Sequence, residues 1–149
     1  MLNKSVAIEE LVPIICEAIE NGVGINMTPR GQSMLPFISD RDSVFLEKPP
    51  TRLKKYDVAF YFRRSTKTYV MHRLIKIKNG GYVFCGDNQF WEETGIEHGD
   101  VIALVTSVSR GGKEKMCGFF YAVYCRTLFL RRVLKKVKWK LATMLRHFR

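Results

Sequence analysis

Tyr69-Val70-Met71-His72-Arg73-Leu74-Ile75-Lys76-Ile77-Lys78, then Asn79-Gly80-Gly81, then Tyr82-Val83-Phe84-Cys85, is the stretch whose reading decides the fold class. Both outer runs are rich in β-branched and aromatic residues and in part alternate polar with apolar positions, the pattern of strands buried on one face. The Asn-Gly-Gly between them is the composition of a tight hairpin turn. Working outward, strands are expected over 23–27, 43–47, 57–63, 69–78, 82–85 and 101–109, with a looser polar turn over 63–67. Lys48-Pro49-Pro50-Thr51 must be irregular, because neither proline can donate to a ladder. Before the strands, residues 5–21 predict a helix capped by Ser5, ended by Asn21-Gly22 and kinked or broken at Pro13. The expected body is mainly β (α+β), with the helix in front of it.

From Phe119 onward the period changes. Leu130, Val133, Val137, Leu141, Leu145 and Phe148 recur at three- and four-residue spacing, which predicts an amphipathic helix. Charge changes at the same place: residues 1–114 hold 15 Lys/Arg against 14 Asp/Glu, whereas residues 115–149 hold ten Lys/Arg and no acid. Nearly all of the net +11 therefore belongs to the tail. Three readings of that tail are open: a helix packed on the body through its apolar stripe, a helix lying on an anionic membrane surface, and a nucleic-acid contact. Basic charge alone is a non-specific footprint, so nucleic acid is the least favoured partner. The expected organisation is an N-terminal helix over 1–22, a β domain over 23–112 and a basic helical tail over 113–149. Nothing reaches the ~18 consecutive apolar residues of a spanning helix, and the nearest run, from Met116, stops at Arg126. Cys16, Cys85, Cys117 and Cys125 have neither CxxC nor zinc-finger spacing and read as free thiols in a reducing compartment.

The chemistry is carried by Ser33, in Gly31-Gln32-Ser33-Met34-Leu35-Pro36, and by His72 on the later strand. A serine hydroxyl needs an adjacent base to become a nucleophile. A histidine, with an unperturbed pKa near ~6.5, can be that base near neutral pH. Gly31 lets the backbone approach a substrate peptide, Met34 and Pro36 fix the turn, and the Ser33 amide is the candidate oxyanion donor. The plain alternatives are a turn serine and a structural strand histidine.

The box Gly31-Gln32-Ser33-Met34-Leu35-Pro36 resembles the Ser-Met-x-Pro box of type I signal peptidases. His72-Arg73-Leu74-Ile75 is similar to that family's second box, which carries a lysine in bacterial and mitochondrial members and a histidine in endoplasmic-reticulum and archaeal-type members. Gly86-Asp87-Asn88 resembles the following Gly-Asp-Asn box, and Gly99-Asp100-Val101-Ile102-Ala103 reads like the closing strand. The boxes stand in family order across about residues 25–110. Repressor-type self-cleaving peptidases of the same superfamily use a lysine base, so His72 points to the histidine branch.

The resemblance implies a signal-peptidase-like β-fold and a serine endopeptidase with Ser33 as nucleophile, His72 as base and Asp87 as the third member or as a brace for the loop beside it. It implies an extended peptide or protein substrate along a strand edge, small residues just before the cut, and no metal or organic cofactor. The chain departs from the pattern in three places. No spanning helix precedes Ser33, so a cytoplasmic enzyme, or one peripheral to the cytoplasmic membrane, is expected. The carboxylate about six residues past Asp87 is Glu93, which leaves Asp87 and Glu93 as rival partners of His72. Gly31 stands where some lysine-type members have an oxyanion-assisting serine. The rival reading from another class is a non-catalytic peptide- or membrane-binding module on the same fold.

Overall fold

The computed structural model describes residues 7–116 and 118–147; the expected Ser5 cap and the last stripe residue, Phe148, lie outside them. Helix α1 (Ile8–Glu20) is followed by strands β1 (Ile25–Met27), β2 (Ser43–Glu47), β3 (Val58–Arg63), β4 (Thr68–Lys78), β5 (Gly81–Cys85), β6 (Glu93–Ile96), β7 (Val101–Arg110) and β8 (Lys113–Glu114), then by helix α2 (Gly118–His147). The strands form one antiparallel sheet in the order β1-β2-β7-β3-β4-β5-β6, with β8 on β7. The architecture is therefore α+β, an eight-stranded antiparallel sheet with one helix before it and one after.

Alternation along β3 shows how the sheet divides its core. Val58 and Phe60 face α1, where they join Val12, Ile15 and Ile19 of the helix, Val44 and Leu46 of β2, and Val105 of β7. Ala59 and Tyr61 face the other side and pack with Leu74, Phe84 and Ile96. Successive strand side chains point to opposite faces, so a fully apolar run such as Val58–Tyr61 can only be a strand covered on both. The expected hairpin is present: Asn79 and Gly80, at φ 51° and 78°, join β4 to β5.

Three expectations need correction. Helix α1 is one continuous element through Pro13, neither split nor interrupted. Pro13 is on its exposed side, and the buried stripe opposite holds the helix against the sheet despite the missing donor. Strands β6 and β8 were not expected. In Glu93-Thr94-Gly95-Ile96 the strand formers Thr94 and Ile96 alternate with the poor ones Glu93 and Gly95, and the segment pairs with the edge of β5. Of the two places where the tail was expected to begin, Gly111-Gly112 is the β7–β8 hairpin, and the helix starts at the later one, Gly118.

Candidate active site

Ser33 sits in a turn rooted in the core. Gly31 has φ +110°, a backbone state that side-chain-bearing residues rarely adopt, and it swings the chain from β1 into the turn. Within the turn, Leu35 N donates to Gln32 O at 3.2 Å and Ile38 N to Met34 O at 2.9 Å. Met34, Phe37 and Ile38 are buried in the α1-side core, so the residues after Ser33 act as its anchor. At the turn's exit, buried Asp42 accepts bonds from Ser39 N, from Arg110 Nε and Nη2, and from Lys115 Nζ. Burial alone would raise the Asp42 pKa. The Arg110 and Ser39 bonds and the Lys115 charge outweigh it and bring the carboxyl down to about 2.

The loop after β5 touches the serine directly. Asn88 N donates to Ser33 O at 2.7 Å. A Cβ at Gly86 would lie 2.6 Å from Ser33 O, so residue 86 must be glycine for the two segments to meet this closely. Strand β5 leaves β4 at the pair Arg73↔Cys85, and from Thr68 to His72 the ladder of β4 is to β3 alone. Gly86 directly follows the last residue paired in the β4–β5 ladder, so the serine turn meets the chain just past the end of that ladder.

His72 is buried, and its Nδ1 lies 2.9 Å from Glu93 Oε1. Tyr61 OH donates to Glu93 Oε2 at 2.6 Å and lies 3.4 Å from His72 Nδ1; Arg63 Nη1 holds Glu93 Oε1 at 3.0 Å. Burial would push the Glu93 pKa up, but the His72 and Tyr61 bonds and the Arg63 charge take it below the ordinary value. Burial and the adjacent carboxylate drive the Tyr61 hydroxyl strongly upward, so it remains a neutral donor. An ionised Glu93 fixes the proton of a neutral His72 on Nδ1 and leaves Nε2 as the basic nitrogen. Both His72 and Ser33 line one cavity of about 350 Å³.

Asp87 occupies a different place from the one its catalytic assignment requires. Its carboxylate is held by Arg73, Nε to Oδ1 at 2.9 Å and Nη2 to Oδ2 at 2.8 Å, and accepts the Tyr124 hydroxyl at 3.0 Å. Arg73 is fully buried, donates to Tyr56 O and to Tyr121 OH, and lies over the Phe37 ring at 4.8 Å. Burial opposes its charge, yet the paired carboxylate keeps the guanidinium firmly protonated. His72 and Arg73 are consecutive on β4 and so face opposite sides; Glu93 meets the first and Asp87 the second. Of the two rivals, the one against His72 is Glu93, and Asp87 braces the loop that touches Ser33. Tyr61 and Arg63 were missed. The signal was in the chain, since β3 pairs with β4 and places Tyr61 on the same face as His72.

Helix α2 completes the brace. Tyr121, Tyr124, Cys125 and Leu128 form its inner face, and Lys135 Nζ reaches Asn88 Oδ1 at 2.7 Å and Asp87 O at 3.2 Å. The stripe of Leu130, Val133, Val137, Leu141 and Leu145 is exposed on the opposite side of the helix. Among the described residues no helix is long and apolar enough to cross a membrane, and no cluster of His, Cys, Asp and Glu is arranged to hold a metal ion. Cys16, Cys85 and Cys125 are free thiols, and burial pushes Cys85 up to about 11. Lys76, on β4 beyond Arg73, is exposed and paired with Glu92 at 2.9 Å. No protein-family model matches the chain, and no curated protein or solved structure gives a significant match.

Proposed function

We propose that the chain is a serine endopeptidase of signal-peptidase type, with Ser33 as nucleophile, His72 as general base and Glu93 as the residue that orients it. The observation that carries this reading is the Nδ1–Oε1 contact of 2.9 Å between Glu93 and His72, the histidine lining one cavity together with Ser33. A carboxylate on one ring nitrogen leaves the other to serve a hydroxyl, the division of labour of a serine hydrolase. His72 Nε2 takes the Ser33 proton as Oγ bonds to the scissile carbonyl carbon; the same proton passes to the leaving amine as the C–N bond breaks. Water, deprotonated by His72, then releases the acyl group from Ser33.

The ordered boxes and the antiparallel sheet support a signal-peptidase-like fold for the body. The free edge of β4 over residues 68–72 supports an extended peptide or protein substrate, which can add there as a further strand. Treatment with a serine-directed phosphonate followed by peptide mapping tests the assignment. Modification at Ser33 that is lost in His72→Ala supports it, and modification elsewhere, or none, removes it.

The exposed face of α2 is assigned to an anionic membrane surface, which makes the enzyme peripheral to the cytoplasmic membrane. Its stripe is apolar, and Lys136, Lys138 and Lys140 lie along its flanks with no acid from residue 115 onward. Each basic residue near such a surface contributes on the order of 1 kcal/mol, in addition to burial of the stripe.

A further inference from the structure

We propose that Arg63 is a positioning residue that acts through Glu93: by balancing the carboxylate charge it keeps His72 free of a proton between turnovers, ready to act as base. The inference rests on the peptidase reading above and adds a residue to it. Glu93 Oε1 is shared, at 2.9 Å by His72 Nδ1 and at 3.0 Å by Arg63 Nη1, while Oε2 accepts the Tyr61 hydroxyl at 2.6 Å.

The guanidinium is built into place. Arg63 stands opposite Thr68, where β3 turns into β4. Its Nε donates to Thr66 Oγ1 at 2.7 Å and its Nη2 to Thr68 Oγ1 at 3.2 Å, and the two hydroxyls lie 2.7 Å apart. The turn therefore holds two of its nitrogens and aims the third at Glu93. Arg64, the next residue, takes different carboxylates, Asp100 at 2.6 Å and Glu97 at 3.3 Å.

Electrostatics says what the third nitrogen does. An ionised carboxylate against an imidazole favours the protonated ring, more strongly where water is excluded. A ring that already holds a proton cannot take one from Ser33. Glu93 and His72 are both buried, so Glu93 without a further cation would hold a proton on His72. Arginine stays charged across the working pH range, so Glu93 and Arg63 sum to zero and a neutral ring leaves no charge uncompensated. Among the described residues no other cation is paired with Glu93. Tyr61 of β3 is a neutral donor whose hydroxyl burial drives strongly upward, and Cys85 of β5 is a thiol that burial pushes up to about 11. Glu92 is paired with Lys76 and Arg132, and Asp87 with Arg73 on the opposite face of β4.

The test follows the His72 ring by NMR, and Ser33 by phosphonate labelling, from pH 5 to pH 9 on the full-length protein. The chain has three histidines, and His72→Gln identifies the ring signal. In Arg63→Gln the ring should titrate at higher pH, and labelling on the acid limb should be about tenfold slower at each pH, regaining the original rate at the alkaline end. Arg63→Lys keeps the charge and should stay within about threefold of the original protein. Arg64→Gln, which removes a cation from the same turn but not from Glu93, should leave both profiles in place. Thr66→Val with Thr68→Val, both exposed, frees the guanidinium and should move both profiles the same way by less. This pair decides if Arg63→Gln fails to fold. A ring that titrates at the same or lower pH in Arg63→Gln overturns the assignment. So does labelling slowed equally at every pH, or an equal shift in Arg64→Gln. The two claims fail separately. A shifted ring with no labelling at Ser33 keeps the charge balance and removes the peptidase, and labelling at Ser33 with an unshifted ring does the reverse.

Discussion

The amide of Asn88 donates a 2.7 Å hydrogen bond to the carbonyl of Ser33, so the loop after β5 and the serine turn are fastened at the backbone. That bond joins the candidate nucleophile to the Arg73–Asp87 pair and, through Lys135, to α2. The position of the serine therefore depends on residues that never face a substrate.

Gly86→Ala tests the fastening. The added methyl would lie 2.6 Å from Ser33 O, so one segment must move. Misplacement by about 1 Å at a reacting atom costs on the order of 10²-fold in rate, and overpacking costs about 1–3 kcal/mol of stability. The expected outcome is a folded protein, by circular dichroism, whose phosphonate labelling is slowed about a hundredfold. Labelling at the original rate would show that the contact does not position Ser33.

Glu93 and Asp87 should fail in different ways. Glu93→Gln keeps the shape but removes the charge that stabilises a protonated His72, so kcat should fall about 10²–10⁴-fold with a modest loss of stability. Asp87→Asn leaves the Arg73 charge buried without its counter-charge, and a broken buried pair costs about 3–5 kcal/mol. Urea unfolding and peptide turnover on both variants separate the two roles. His98→Ala, whose ring contacts Tyr82, is the control expected to retain turnover.

Acid should loosen the serine turn through Asp42. A depressed folded-state pKa contributes stability that is present above the unfolded value, 3.8, and is lost as pH falls toward about 2. The shift corresponds to about 2 kcal/mol. Glu93 and Glu114 are lowered as well, so the measurement is the difference between the original protein and Asp42→Asn in urea unfolding from pH 6 to pH 2. The gap between them should narrow below pH 4, and a gap independent of pH would show that Asp42 contributes no charge-dependent stability.

Val137→Asp and Leu141→Asp place charges on the outer stripe of α2 without disturbing its inner face. Both positions are about half exposed, at 48% and 52%, so stability should change by no more than about 0.5 kcal/mol. Co-sedimentation with vesicles of rising anionic content should fall sharply for each, and binding of the original protein should weaken with salt. Binding unaffected by the substitutions or by salt would remove the membrane assignment. Truncation at 119 is the poorer test, because Tyr121, Tyr124 and Lys135 also brace Arg73, Asp87 and Asn88.

The tail shows how far local pattern reaches. Its period predicted a helix, and the helix is there from Gly118. The apolar stripe suggested a face for packing on the body, yet the body takes Tyr121, Tyr124, Cys125 and Leu128 and leaves the stripe outside. Periodicity locates a face but does not say what covers it. The tyrosines are chosen because their hydroxyls can meet Arg73 and Asp87, a demand set by groups about fifty and forty residues away in the chain.

Residue order alone determined the strands from β1 to β5, β7, the Asn79-Gly80 hairpin and the terminal helices, because each rests on periodicity and turn chemistry within a few residues. It also singled out Ser33 and His72, since a Gly-led serine and a strand histidine are visible one segment at a time. Only the tertiary structure chose Glu93 over Asp87 as the partner of His72. That choice depends on β5 and β6 bringing Glu93 to the His72 face of β4, while Asp87 comes to the Arg73 face. His72 and Arg73, consecutive on β4, point to opposite faces, so the carboxylates that meet them lie on opposite sides of one sheet, and no reading of local pattern can assign them before the strands are paired.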